Sequence, residues 1–344
     1  MKANGNDGAT PPLGTIESLI LGERFRFDAL CHPDALEEAK TLLESTLSLP
    51  YVEDEVLDAL PQLIAVYSPK GGVGKTNVAV NLAVLLAGLS GGDCVLVDMD
   101  IEYGNTGRIM GGRKTPNIFS LLENASEALK KKDIQTVLNY CLVHKRTGLR
   151  VMLPPPVPEI VRLEGPYRLR EEYFALLGLF ESQFRFVVMD CGVSLVSRVT
   201  QLALERAEAV VMIADLDLST LESIWLVLQS FRRMPRMRGK VGLLLNRIPF
   251  KGKEEEGSDK KGEKGNERAE GMRAEEVASR KGLCALDLNR VEGTFSQHAT
   301  FLGGLPYREE ITRYSNLGVP YLLLPDREYR HAFIAFLSCL AKQN

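Results

Sequence analysis

Short stretches of consecutive apolar residues, most of them closed by Asp, Asn, Ser or Pro, recur along this chain as LIAVYS, CVLVDMD, RVMLP, FRFVVMD, AVVMIAD, VGLLLN and YLLLP. An apolar run without alternation is what a strand buried on both faces requires, since neither side meets water. Between these runs, NVAVNLAVLLAGL, PYRLREEYFALLGLFES, STLESIWLVLQSFRRM and REYRHAFIAFLSCLA repeat apolar residues at helical spacing. Each is predicted to be an amphipathic helix lying on a sheet. Strand and helix alternate from Gln62 onward, which predicts an α/β fold. The expected form is a doubly wound, mostly parallel sheet flanked by helices, with right-handed crossovers.

Two regions break the rhythm. Residues 1–60 form an N-terminal extension: residues 1–14, small, polar and proline-bearing, are expected to be a disordered tail, SLILGERFRF reads as two short strands about Gly22, and HPDALEEAKTLLESTL reads as a helix with Pro33 near its start. That extension is too short to be an independent domain, so residues 61–344 are expected to be the domain. Within them, KGKEEEGSDKKGEKGNERAEG (251–271) has dense mixed charge and no large apolar residue. It cannot bury enough surface to offset its ordering entropy, which predicts a solvated loop.

Composition narrows the class. Of 344 residues, 45% are hydrophobic and 25% charged, the balance of an ordinary globular chain. The net charge of -3 gives no overall field that would draw the protein onto nucleic acid or an anionic membrane, so any such contact must be local. The six cysteines form no C-x-x-C pair, which argues for reduced thiols rather than a disulfide framework or a metal cluster. No apolar run has the length of a membrane span, and no basic segment with an apolar core opens the chain. A cytoplasmic protein is expected.

The chemistry concentrates in KGGVGKT, between the LIAVYS strand and the helix that follows. Glycines let successive backbone N–H groups turn inward, and the helix amino end adds its dipole, so the loop is suited to phosphate. Lys70, Gly71, Gly72, Val73, Gly74, Lys75, Thr76 and Asn77 are the expected cradle, with Lys75 on the β- and γ-phosphates and the Thr76 hydroxyl on Mg²⁺. Pro69 stands where the strict phosphate-loop pattern has its first glycine, and Lys70 is a second lysine beside it.

That second lysine makes the loop resemble the deviant Walker A ATPases of the MinD/ParA family, a likeness extending over residues 62–342 apart from the charged loop. The resemblance implies ATP and Mg²⁺ as ligands and an ATP-dependent homodimer in which Lys70 crosses to the partner's nucleotide. In VLVDMD it implies that Asp98 supports the magnesium shell and Asp100 orients the attacking water. In FRFVVMDCG it gives Asp190 a water-mediated hold on Mg²⁺ and puts Gly192 near the γ-phosphate. It further implies that Asn246, closing VGLLLN, reads the adenine edge. Lys70, Lys75 and Asp100 are thus the expected catalytic groups, and Thr76, Asp98 and Asp190 the metal-holding ones.

Within the family, DMDIEYGNTG, TPNIFSLLEN and GLRVMLPPPVPE look most like the CpaE/TadZ pilus-localisation ATPases, while KGGVGKTNVAVNLA is also similar to the FlhG flagellar-number ATPases. The chain departs from the family at CGVSL, which lacks the usual prolines after Asp190, and its extension is shorter than the receiver-like domain of TadZ proteins. No glutamate is placed as a base, so a slow, partner-stimulated switch is expected. A pseudo-ATPase scaffold and an iron–sulfur carrier are the rival classes; Cys191 reads as a packing residue. The stripe Phe333, Phe336, Leu337 and Leu340 is expected to pack on the sheet rather than on a membrane. Arg232, Arg233, Arg236, Arg238 and Lys240 are expected to be a solvated helix end rather than a nucleic-acid surface.

Overall fold

The structure is a computed structural model and describes residues 34, 35, 37, 41, 49–111, 115–155, 169–249, 286 and 288–343. The expected tail, the strands about Gly22, most of the helix after Pro33 and the charged segment 251–271 lie outside the described residues.

In chain order the elements are α1 (Asp54–Asp58), β1 (Leu63–Tyr67), α2 (Lys75–Leu89), β2 (Cys94–Met99), α3 (Thr106–Ile109), α4 (Ile118–Lys130), α5 (Ile134–Leu138), β3 (Leu142–Val143) and β4 (Arg150–Met152). There follow α6 (Leu169–Glu181), β5 (Phe186–Cys191), α7 (Arg198–Arg206), β6 (Ala209–Ala214), α8 (Leu218–Arg232), β7 (Val241–Ile248), α9 (Leu288–Phe295), β8 (Thr300–Pro306), α10 (Glu310–Asn316) and α11 (Arg327–Ala341). The strands form one sheet in the order β3-β4-β2-β5-β1-β6-β7-β8. All neighbours are parallel except the β3–β4 pair at one edge.

Alternate residues of β1 feed two cores. Leu63, Ala65 and Tyr67 face the side covered by α4, α6, α7 and α8, whereas Ile64 and Val66 face the side covered by α2 and α11. Burial on both faces is why the central strands carry unbroken apolar runs. Because β1 lies between β5 and β6, with β2 beyond β5, the winding reverses direction at β1. Open α/β sheets leave a crevice at such a switch point, outside the carboxyl ends of the strands. Val52, Leu57 and Leu60, on the extension side of the expected boundary, join the second core.

Three sequence expectations change. α2 is not amphipathic: every residue from Val78 to Ala87 is buried, because the helix runs between the sheet and the carboxyl-terminal segment. YLLLP is not a strand. Tyr321–Leu323 is a 3₁₀ turn following Pro320 and preceding Pro325, two residues that cannot donate to a ladder. Its Tyr321 hydroxyl is tied to Asp326 (2.9 Å), which also caps α11 at Tyr329 N (2.9 Å). The outermost parallel strand is instead β8, TFLGGLP, whose two glycines and register shifts against β7 hide it from an apolar-run reading.

His144 follows β3 and lines a cavity of about 410 Å³ with Met110, Gly111, Lys145 and Gly318. Its Nδ1 lies 2.8 Å from Thr147 Oγ1. Burial, helped by the Arg146 charge, lowers its pKa to about 4. The folded protein therefore holds this imidazole neutral where the unfolded chain would protonate it. Its contribution to stability is complete above pH 6.5 and lost as pH falls toward 4. Denaturation at pH 7 and pH 4.5 is expected to show a loss on the order of 2 kcal/mol that His144→Gln lacks.

Candidate functional site

The glycine-rich loop leaves β1 at the switch point. Ser68 Oγ accepts a bond from Lys70 N (3.2 Å), turning the chain away from the strand. Gly72 and Gly74 have φ of +81° and +95°, a region that strains any residue with a side chain. Gly74 is the N-cap of α2, and neither a side-chain cap nor an acidic first turn neutralises the helix amino end. Its amides and dipole are left to an anion.

The two lysines are placed differently. Lys75 is buried, with Nζ 3.5 Å from the Lys70 carbonyl, inside the curl of the loop. Lys70 is exposed on the outer side. Near it, Asp217 caps α8, its carboxyl held low by the Ser219 and Thr220 bonds and further by the Lys70 charge.

Asp98 and Asp190 are register partners on β2 and β5, so two carboxyls sit side by side beneath the loop, both buried. Burial pushes Asp190 up to about 7, while the Thr76 hydroxyl and Lys75 ammonium pull it back and Asp100 pushes it further. Neither Asp190 oxygen has a well-directed hydrogen bond. Asp98 differs. The resemblance gives it a part in the magnesium shell, but its Oδ1 accepts from Asp100 N (3.0 Å) and its Oδ2 from Thr106 N (3.2 Å) and Thr106 Oγ1 (2.7 Å). Gly104 is packed against it, since a Cβ there would lie 2.5 Å from Asp98 Oδ2. Asp98 thus folds the loop that carries Asp100. Its own carboxyl is raised by burial and by Asp190.

Asp100 accepts from Tyr103 N (3.1 Å) and approaches Gly192, where an added Cβ would lie 3.3 Å from Asp100 Oδ1. Any side chain at Gly192 would crowd this carboxylate. Cys191 is buried, and its thiol faces the Met189 carbonyl (3.7 Å).

The asparagines hold the cradle. Asn77 Oδ1 accepts from Ser315 Oγ (2.7 Å), so its side chain is turned to α10 and its backbone alone is left to the loop. Asn246 Nδ2 donates to Val73 O (2.8 Å), inside the loop itself. Three positions not expected from sequence also act here. Asn81 bonds Asn77 O and Leu322 N (both 2.7 Å); the Tyr67 hydroxyl donates to Val193 O (3.2 Å); and the Tyr173 hydroxyl donates to Asp98 O (3.1 Å). A polar residue within NLAVLL is the signal that marks Asn81.

Two surfaces named above also resolve. Lys240 Nζ caps the carboxyl end of α7 through Leu204 O and Ala207 O (both 2.8 Å), so it leaves the basic cluster. Arg232, Arg233, Arg236 and Arg238 are exposed. Phe333, Phe336, Leu337 and Leu340 are fully buried in the second core, as expected. Among the described residues no helix is long and apolar enough to cross a membrane, and no group of three or more His, Cys, Asp or Glu could hold a metal. Mg²⁺ bound through one or two carboxylates, a hydroxyl, water and phosphate needs no such group. The buried Asp190, with no well-directed hydrogen bond to either oxygen and Thr76 and Lys75 beside it, fits that donor set.

A doubly wound sheet with a glycine-rich strand-to-helix loop at its switch point defines the P-loop nucleoside-triphosphatase fold. Residues 61–238, just over half of the chain, match the family described as AAA domain, AAA_31, and the chain belongs to that family. It is similar to the chromosome-partitioning ATPase Soj of Thermus thermophilus, 34% identical over 174 residues that cover 49% of this chain and 61% of that protein. Among solved structures, a ParA family ATPase from Chlorobium tepidum shares the fold at TM-score 0.59 and 14% identity, covering 81% of this chain and 98% of that one. MinD from Pyrococcus horikoshii, solved with Mg-ADP, does so at TM-score 0.53 and 19% identity, covering 80% and 94%.

Proposed function

We propose that this protein is an ATP-dependent dimerising switch, a slow, partner-stimulated ATPase that positions or regulates a cellular assembly. The observation that carries the reading is the buried Asp190 carboxyl, without a well-directed hydrogen bond to either oxygen, beneath a glycine-rich loop and beside Thr76 and Lys75. Burial still outweighs the help that Thr76 and Lys75 give this carboxyl, and a phosphate-bound cation would relieve the remaining cost. Bound there, Mg²⁺ would supply charge neutralisation for the phosphate oxygens.

This chain's own groups do the rest. The amides of Lys70–Asn77 and the α2 amino end bind the phosphate chain, and Lys75 adds positive charge from within the curl. Asp100, fixed through Asp98 and Tyr103 N, orients water beside Gly192. Lys70 is exposed, and in the segments that follow β2, β5 and β6 the apolar side chains of Tyr103, Val196 and Leu218 are 72%, 85% and 68% exposed. Exposed apolar side chains on the segments at the same end of the sheet as the phosphate loop suit a second copy that covers them, and Lys70 would then reach the partner's nucleotide.

The assembly proposed is a pilus or secretion apparatus, as in CpaE/TadZ-like proteins, on the strength of DMDIEYGNTG, with the protein cytoplasmic and recruited to the cell pole or the membrane periphery through a protein partner. A flagellar-number role, or a division or segregation role as in MinD/ParA-like ATPases, is the second reading. It is favoured by the four exposed arginines at 232–238 and by the name of the Soj relative. A tagged copy viewed beside pilus, flagellar and nucleoid markers separates them.

The biochemical test uses the full chain with Mg-ATP, followed by phosphate release and by sedimentation. The wild type is expected to release phosphate slowly and to dimerise, Asp100→Ala to stop release, and Lys70→Ala to bind yet stay monomeric. Dimerisation of Lys70→Ala equal to wild type would sink the role given to that lysine. Wild-type phosphate release no higher than a no-enzyme background would leave a nucleotide-binding scaffold instead, and equal release above background in Asp100→Ala would remove the role given to Asp100.

A further inference from the structure

Asn246 lies near the end of β7, yet its side chain belongs to the phosphate loop. Nδ2 donates to the Val73 carbonyl at 2.8 Å, and both residues are buried. The contact is also steric. A Cβ on Gly74 would lie 2.3 Å from Asn246 Nδ2, so the amide occupies the space a side chain would need there. Gly74 holds φ +95° at the start of α2, and Arg247, next to Asn246, holds φ 60°, unusual for a residue other than glycine. Such conformations persist where the surroundings over-determine them.

We infer that Asn246 is a positioning residue that locks the phosphate loop in its curled form before any ligand arrives, so that its contribution falls on the phosphate chain and not on the choice of base. The inference rests on the nucleotide reading above. A loop of several glycines has many backbone states to lose, and a buried side-chain bond to its middle carbonyl removes much of that freedom in advance. The carbonyl of Val73 is turned toward Asn246, which keeps one acceptor from pointing at phosphate oxygens. Base reading would require the adenine edge to meet an amide that already spends one donor on Val73 O.

The experiment compares wild type, Asn246→Asp and Asn246→Ala. Asp keeps the volume and loses the donor; Ala tests the same bond without an added charge. Calorimetry measures Mg-ATP, Mg-GTP and inorganic tripolyphosphate, and amide exchange follows Val73–Thr76 in the ligand-free protein. Both variants are expected to lose about tenfold in affinity for ATP and for tripolyphosphate alike, the size of one buried hydrogen bond. The ATP to GTP preference is expected to hold within about twofold. Exchange at Val73–Thr76 is expected to quicken while exchange in β1 and β5 stays as in wild type. Unchanged tripolyphosphate affinity with weakened ATP, a collapsed ATP to GTP preference, or unchanged loop exchange overturns the inference and leaves the nucleotide reading standing. A wild type that binds none of the three ligands overturns both.

Discussion

Lys75→Ala is expected to abolish Mg-ATP binding, with a loss on the order of 100-fold or more in calorimetry. A charge-assisted bond to phosphate contributes about 1.5 to 3 kcal/mol, and Lys75 is placed to make more than one. Its ammonium is buried inside the loop and acts on Asp190 from there. Alanine would leave Asp98 and Asp190 side by side without that nearby cation. The far-ultraviolet circular dichroism is expected to stay close to wild type, because alanine favours a helix start at least as well as lysine. Lysine and arginine are not equivalent at so enclosed a point, so Lys75→Arg is expected to fail as well. Wild-type affinity in Lys75→Ala would remove the loop from the account altogether.

Phe333→Ala is expected to cost about 3 to 5 kcal/mol of unfolding free energy, the range for a large aromatic removed from a core. Phe333 is fully buried on α11, with its ring centroid 5.4 Å from that of Phe336 in an edge-on pair, and it lies with Leu337 and Leu340 against the α2 side of the sheet. A stripe so enclosed cannot also lie in a bilayer. Urea denaturation reads the loss directly, and a change under about 1 kcal/mol would mean that α11 packs elsewhere.

The central sheet was legible because burial on both faces leaves a local mark: four to six apolar residues in sequence, as in CVLV of β2, FVVM of β5 and AVVMIA of β6. β8 left no such mark, since its glycines accommodate β7 and an added Cβ on Gly304 would lie 1.9 Å from Ile248. YLLLP imitated a strand because leucines fill a 3₁₀ turn as well as a ladder, and only its flanking prolines argue otherwise. The loop KGGVGKT was legible for the same reason the strands were: contiguous residues do its work. What escaped were contacts between residues far apart in sequence, Asn246 with Val73, Asn81 with Leu322 and Tyr67 with Val193. Each is an ordinary amide or hydroxyl whose partner is fixed only by the closed sheet.

Asn77 and Asn81 stitch two successive turns of the loop-opening helix to Ser315 and Leu322. A small dye attached beside Ser315 therefore stands one hydrogen bond from that helix, outside the cradle. Its emission would report loading from behind, with the ligand's path left clear.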